Sequence, residues 1–164
     1  MKLDTMMNDF TKKHVLGRVL AVVYTMEFQK RGLPPAHIVL WLVAIDKLLS
    51  VEDIDNVISA EIPDKDADPV GYKVVSQFMM HGPCGAANPK CPCMSNGQCT
   101  KHYPKPFSNS TFMDDDGYAL YRRRDTKMIV ECNGIHLDNR HVVPYHRGLL
   151  VKYQGHINVE WCNR

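Results

Sequence analysis

Between His81 and Phe107 the chain loses every hydrophobic period: "HGPCGAANPKCPCMSNGQCTKHYPKPF" holds four cysteines, five prolines and three glycines. Proline removes an amide donor, and glycine loses the most backbone freedom on ordering, so neither helix, sheet nor apolar core orders such a stretch. A tetrahedral ion would. Cys84, Cys91, Cys93 and Cys99 are flanked by His81 in an H-x-x-C spacing and by His102 in a C-x-x-H spacing. Zinc held by thiolates, with or without one imidazole, would supply the missing order. The alternative is reduced cysteines buried beneath a loop. The spacing is irregular and does not form paired C-x-x-C knuckles. Cys132 and Cys162 stand alone and read as core thiols.

The rest of the chain is built on clear periods. Met7, Phe10, His14 and Val15 recur at helical spacing over Asp4 to Leu16. From Val19 to Phe28 the period becomes two, with Leu20, Val22, Tyr24, Met26 and Phe28 on one face and Ala21, Val23, Thr25 and Glu27 on the other. "QKRGLPP" is a turn, and "AHIVLWLVAI" reads as a second, more fully buried strand, completing an antiparallel hairpin. Ser50 with Asp53 forms a capping box opening a short helix, and Asp68 followed by Pro69 starts another that runs to about Met80. "DDDGYALYRRRD" reads as a turn with a strand, and "RHVVPYHRGLLVKYQGHINVEWC" as two or three strands broken at Pro144 and Gly155. The expected organisation is one domain over 1–164: a hairpin with helices to residue 80, a Cys-rich insert over 81–107, and C-terminal strands over 108–164.

Composition narrows the class of protein. With 45% hydrophobic and 23% charged residues the chain has material for a core. A net charge of +2 creates no global field for nucleic acid, so any such contact depends on local patches. The start "MKLDTMMNDF" lacks a secretory leader, and the longest apolar run, "IVLWLVAI", is too short to span a bilayer. The expectation is a soluble, intracellular, unsecreted protein with no membrane partner and with reduced cysteines. Arg122, Arg123 and Arg124 form the densest basic run, joined by Lys30 and Arg31 on the hairpin turn. Arg122 and Arg124 would share one strand face and track phosphates, with Tyr121 or Tyr145 available to stack bases. A solvated, charge-protected edge strand is the other reading of the same run. His136, His141, His146 and His156 have no mutual spacing that defines a metal site and read as structural.

Six collinear stretches, "EFQKRGLPPAH", "DIDNVISAEIPD", "MHGPCGAANPKCPCMSNGQCTKHYPKPF", "DGYALYRRRD", "LDNRHVVPY" and "LLVKYQGHINVEWCN", together resemble the N-terminal helicase-like region of Helitron transposases. The resemblance implies an α+β fold of HUH-nuclease type. In it an antiparallel sheet carries His-x-His on a central strand, holds Mg²⁺ or Mn²⁺ against the scissile phosphate, and presents single-stranded DNA to a tyrosine on a later helix. Residues i and i+2 on a strand share a face roughly 6.6 Å apart, which lets two imidazoles converge on one ion. Here that motif reads Pro35-Ala36-His37, and proline brings no ligand atom. Gln29 occupies the position of the auxiliary ligand, with Glu27 two residues back on the same face. In the Cys-rich segment the resemblance matches Cys84, Cys93 and Cys99 to repeated cysteines and makes His81 the preferred fourth ligand. Cys91 is either a bystander or a local replacement.

The resemblance also places paired tyrosines four residues apart just beyond "HINVEWCN", where this sequence ends. No Tyr-x-x-x-Tyr occurs in it, and Tyr118 and Tyr121, three apart, would face opposite sides. No Gly-x-x-x-x-Gly-Lys-[Ser/Thr] phosphate loop occurs either. The expected molecule is therefore a nuclear, truncated, transposon-derived pseudoenzyme that retains single-stranded DNA affinity without nicking. Two other readings stand beside it. One is a zinc-ordered interaction module without DNA affinity; the other is part of an active nuclease, completed by a tyrosine helix from a fuller transposase chain.

Overall fold

In a computed structural model that describes residues 2–27 and 35–162, the chain divides into two compact units, Met1–Leu49 and Ser50–Arg164. The boundary falls where the Ser50 capping box begins a new helix. The first unit opens with helix α1 (Lys2–Thr11), which buries Asp9 and Phe10. The buried Asp9 carboxylate faces Lys13 one turn on, at 3.0 Å. Strands β1 (Val19–Met26) and β2 (Ala36–Leu42) pair antiparallel, with Thr25 opposite His37 and Val23 opposite Val39. The register slips between Val19 and Ala21, a bulge at Leu20, whose side chain is 74% exposed. A 3-10 turn (Ala44–Asp46) ends the hairpin, and Asp46 grips Arg18 with both carboxylate oxygens, at 2.8 and 2.9 Å.

The hairpin itself is as the alternation predicts, but β2 is not a buried strand. Neither strand contains a buried residue, and Trp41 on β2 is 43% exposed. The sheet has only two strands, and a lone ribbon covers neither of its faces. The apolar run "IVLWLVAI" signals capacity for burial, not burial itself.

The second unit is built on three helices: α2 (Val51–Val57), α3 (Pro69–Phe78) and α4 (Arg147–Tyr153). Both predicted starts are present. Ser50 accepts from the Asp53 amide while the Asp53 carboxylate accepts from that of Ser50, each at 3.0 Å. The Asp68 side chain accepts from the Gly71 amide at 2.9 Å, with Pro69 following it inside the helix. Gly71 matters there because a Cβ at that position would collide with the Asp68 carboxylate.

Helix α4 lies where strands were expected. Its apolar residues Leu149, Leu150 and Tyr153 fall at helical spacing and are buried, and α4 packs against α3. His146 caps the helix by accepting the Leu149 amide on Nδ1 at 3.1 Å. Burial holds this imidazole below its ordinary pKa, which keeps that lone pair available. Gln154, in the left-handed region at φ 47°, ends the helix.

Three short hairpins complete the unit: β3/β4 (Met94–Ser95, Gln98–Cys99), β5/β6 (Phe112–Met113, Ala119–Leu120) and β7/β8 (Val130–Cys132, Ile135–Leu137). The architecture is thus mixed α+β with four two-stranded antiparallel sheets among the described residues. The core joins Val74, Val75 and Met79 of the α3 region to Val142, Val143, Tyr145 and Leu150. An extended segment over 141–145 runs through it: the Val143 amide donates to Met79, the His81 amide donates to His141, and Tyr145 exchanges both backbone bonds with Ser59.

Candidate metal centre

Two turns deliver the cysteines. After Met79 the chain leaves α3, and its last core rung, the His81 amide to the His141 carbonyl at 2.8 Å, fixes the backbone of His81. Gly82, at φ 111°, then turns the chain toward Cys84, a conformation open to glycine. Further on, Ser95 pairs with Gln98 around Asn96 and Gly97, whose φ values of 50° and 78° define a type I′ hairpin turn. The hairpin brings Cys99 back alongside Met94, and the Thr100 amide donates to the Cys93 carbonyl at 2.8 Å. Asn-Gly is a strong short hairpin signal, and it is the feature from which the convergence of Cys93 and Cys99 could have been read, although it played no part in the sequence reading.

The ligand atoms of His81, Cys84, Cys93 and Cys99 all lie within 4.8 Å of one another. This is the four-residue set that the sequence resemblance favours. For bonds of about 2.3 Å the edge of a tetrahedral thiolate site is about 3.8 Å, so the cluster fits zinc with small adjustments. The His81 ring stacks on Tyr103 with centroids 4.1 Å apart, and its Nε2 lies 3.3 Å from the Cys99 sulfur. Burial lowers the affinity of the imidazole for a proton, as a neutral ligand requires. The thiols differ among themselves. Burial and the neighbouring sulfurs push Cys93 up to about 12 and raise Cys84. Burial also pushes Cys99 upward, but the amides of Tyr103 and Lys101 outweigh it and leave Cys99 below the ordinary thiol value. Three sulfurs competing to hold negative charge in one small volume are the donor set that a divalent cation relieves, with release of protons. Cys91 lies outside the four, with its sulfur 3.4 Å from that of Cys93. His102 is exposed and outside the set as well.

The hairpin carries a second, sparser group. Glu27 sits across from Pro35, its amide donating to the Pro35 carbonyl at 3.0 Å. His37 is diagonal to it on the same face, with Nε2 3.8 Å from a Glu27 oxygen and both side chains mostly exposed. One imidazole and one carboxylate fall well short of the six oxygen-rich positions that Mg²⁺ fills. Gln29, Lys30 and Arg31 lie outside the described residues.

The basic run is drawn inward. Arg123 is 4% exposed, and its Nη1 donates to the carbonyls of Asn139 and Val142, each at 2.7 Å. Arg124 binds Glu61 through Nε at 2.9 Å and Nη2 at 2.6 Å, while Arg122 sits 3.4 Å from Asp55 and 3.8 Å from Glu61. Burial pushes the Glu61 carboxyl up, but its bonds to Arg124 more than compensate and hold it below its ordinary value. Arg122 and Arg124 do share a side, as alternation predicts, but that side meets Glu61. Tyr121 and Tyr145 are buried: the Tyr121 oxygen accepts from the Trp161 amide, and the Tyr145 hydroxyl donates to the Glu61 carbonyl. These rings are part of the core and are not presented to bases, a correction to the sequence expectation. Cys162, read as a core thiol, is exposed, whereas Cys132 packs against the core. Among the other histidines, His141 faces Asp138 at 3.4 Å, and His156 bonds the Phe78 carbonyl at 2.9 Å.

Residues 1–40 match the family described as the Helitron helicase-like domain at N-terminus. The match spans α1, β1 and the first residues of β2, and so includes Glu27 and His37; the four-ligand cluster lies in the other unit. No curated protein matches the chain. No helix among the described residues is long and apolar enough to cross a membrane.

Proposed function

We propose that this chain is a Helitron-derived nuclear domain of rolling-circle HUH-nuclease ancestry, which retains a zinc-ordered fold and weak single-stranded DNA affinity but does not cut DNA. The observation that carries this reading is the hairpin group: His37 has Pro35 where the ancestral motif has a second imidazole, and the carboxylate beside it among the described residues is Glu27, at 3.8 Å. A cation so held is positioned too loosely to polarise a phosphodiester. Two of the tyrosines, Tyr121 and Tyr145, are withdrawn from such chemistry. Burial raises the phenol of Tyr145 to about 12 and that of Tyr121 higher, and both hydroxyls have partners, so neither is a nucleophile at neutral pH. Zinc, when bound by His81, Cys84, Cys93 and Cys99, would act as a structural ion, because four protein ligands leave no position for substrate.

One observation favours a second reading, an interaction module without DNA affinity. Every arginine among the described residues has an internal partner: Arg18 with Asp46, Arg122 with Asp55, Arg123 with backbone carbonyls, Arg124 with Glu61, Arg140 with Asp138 and Arg147 with Asp68. Phosphate contact would then fall to the lysines and to Arg31 and Arg164. Fluorescence anisotropy with a labelled single-stranded oligonucleotide separates the readings. Weak binding that falls steeply between about 50 and 200 mM salt supports the first. A flat titration at low salt supports the second. A covalent oligonucleotide adduct formed with Mg²⁺ or Mn²⁺ would overturn both, in favour of a competent nuclease or one completed by a fuller transposase chain.

A further inference from the structure

Five sulfur and nitrogen donors gather where a tetrahedral ion uses four. Cys91 is left outside the set, yet its sulfur lies 3.4 Å from that of Cys93, with only Pro92 between them in the chain. The loop holds them together: the Cys91 amide donates to the Asn88 carbonyl at 3.2 Å, and the Met94 amide donates to the Cys91 carbonyl at 2.8 Å. Cys91 is only half-buried, so small solutes reach it.

We propose that Cys91 is an oxidation site that unloads the metal centre: peroxide joins Cys91 to Cys93 as a disulfide, and loss of the Cys93 thiolate releases the ion. This inference rests on the reading of the four-residue set as a zinc site. A sulfur bonded to Zn²⁺ shares its lone pair with the cation and attacks peroxide poorly, whereas the fifth sulfur keeps its electrons. Cys91 attacks the O–O bond of hydrogen peroxide; one oxygen stays on the sulfur as sulfenic acid, and the other leaves as water with the thiol proton. The Cys93 sulfur then attacks the Cys91 sulfur. Its bond to the ion breaks, an S–S bond forms, and the hydroxide that departs takes up a proton as a second water. Each sulfur has lost one electron, and one peroxide has been reduced to two waters. The sulfurs need only close from 3.4 Å to a disulfide length of roughly 2.05 Å.

The test compares the full zinc-loaded chain with Cys91→Ser, following zinc release under hydrogen peroxide with a chromogenic chelator and reading the thiol state by peptide mass. The expected result is zinc loss from the parent with two hydrogens missing from the peptide that spans Cys91 and Cys93, and zinc recovery after dithiothreitol. The variant, still holding one zinc beforehand, should release it about tenfold more slowly or less. Equal release rates, or release with Cys91 still reduced, overturn the switch and leave the metal reading standing. A variant that binds no zinc makes Cys91 a ligand and likewise overturns it. A parent chain that neither contains nor takes up zinc overturns both.

Discussion

The two units each assemble metal-binding side chains, and they do so on opposite physical terms. On the hairpin, His37 and Glu27 project from a two-stranded ribbon into solvent, 3.8 Å apart, and each retains its freedom to rotate. In the Cys-rich segment the four ligand atoms converge within 4.8 Å, and the backbone around them is pinned by bonds to His141, Cys93 and Asn88. A ligand set becomes a site when turns and backbone bonds let its members converge on one point. The hairpin has the ligand types without that support; the loop has both.

The largest test of this contrast removes the ion. Chelation, or Cys99→Ser, is expected to release residues 81–107 into rapid amide exchange and to cost several kcal/mol, set against the ~10–16 kcal/mol with which small zinc-ordered peptides hold their metal. His37→Ala should leave both exchange and the urea midpoint where they were, within about 0.5 kcal/mol. Unchanged exchange after Cys99→Ser would erase the distinction between the two regions.

A smaller effect separates the arginines. Arg123→Met strips the donors from two buried carbonyls, and a loss of about 2–4 kcal/mol in a denaturant melt is expected. Arg18→Met in the first unit breaks an exposed pair and should shift its melt far less. Comparable shifts would show that the hairpin is pinned as firmly as the core.

The smallest effect is acid dependence. Hydrogen bonds from Arg147 hold the Asp68 carboxyl at about 2, and those from Arg18 do the same for Asp46. A carboxyl depressed in the folded state stabilises fully above its unfolded value of about 3.9 and loses that contribution as pH falls through the folded one. Between about pH 4 and 2 the thermal midpoint of the parent should therefore fall more than that of Asp68→Asn. Parallel curves would remove Asp68 from the stability of the second unit.

The caps were the most legible part of the sequence. Ser50 with Asp53, and Asp68 with Pro69, act through neighbours two or three residues away, so no tertiary knowledge was needed. The metal set was legible because thiols in a proline-rich stretch have few other ways to be ordered. Helix α4 was not, since "RGLLVKY" is short, its apolar residues suit either period, and packing on α3 decides between them. The Asn96-Gly97 and Asn133-Gly134 turns were visible in principle; β7 and β8 join through the second of them, with φ values of 52° and 76°. The fate of Arg122 and Arg124 was hidden, because Glu61, which both face, lies more than sixty residues away and charge alone does not reveal which way a guanidinium faces.

His81 is the residue through which the two kinds of order meet. Its side chain belongs to the ligand cluster, while its own peptide forms the final rung of a ladder that begins at Met79, at the centre of the apolar packing. Whatever grips that imidazole thereby tightens the segment over 141–143 as well. If the cluster holds zinc as proposed, ion occupancy and unfolding of the second unit would be linked, and the midpoint of a thermal scan of that unit would rise with the metal bound.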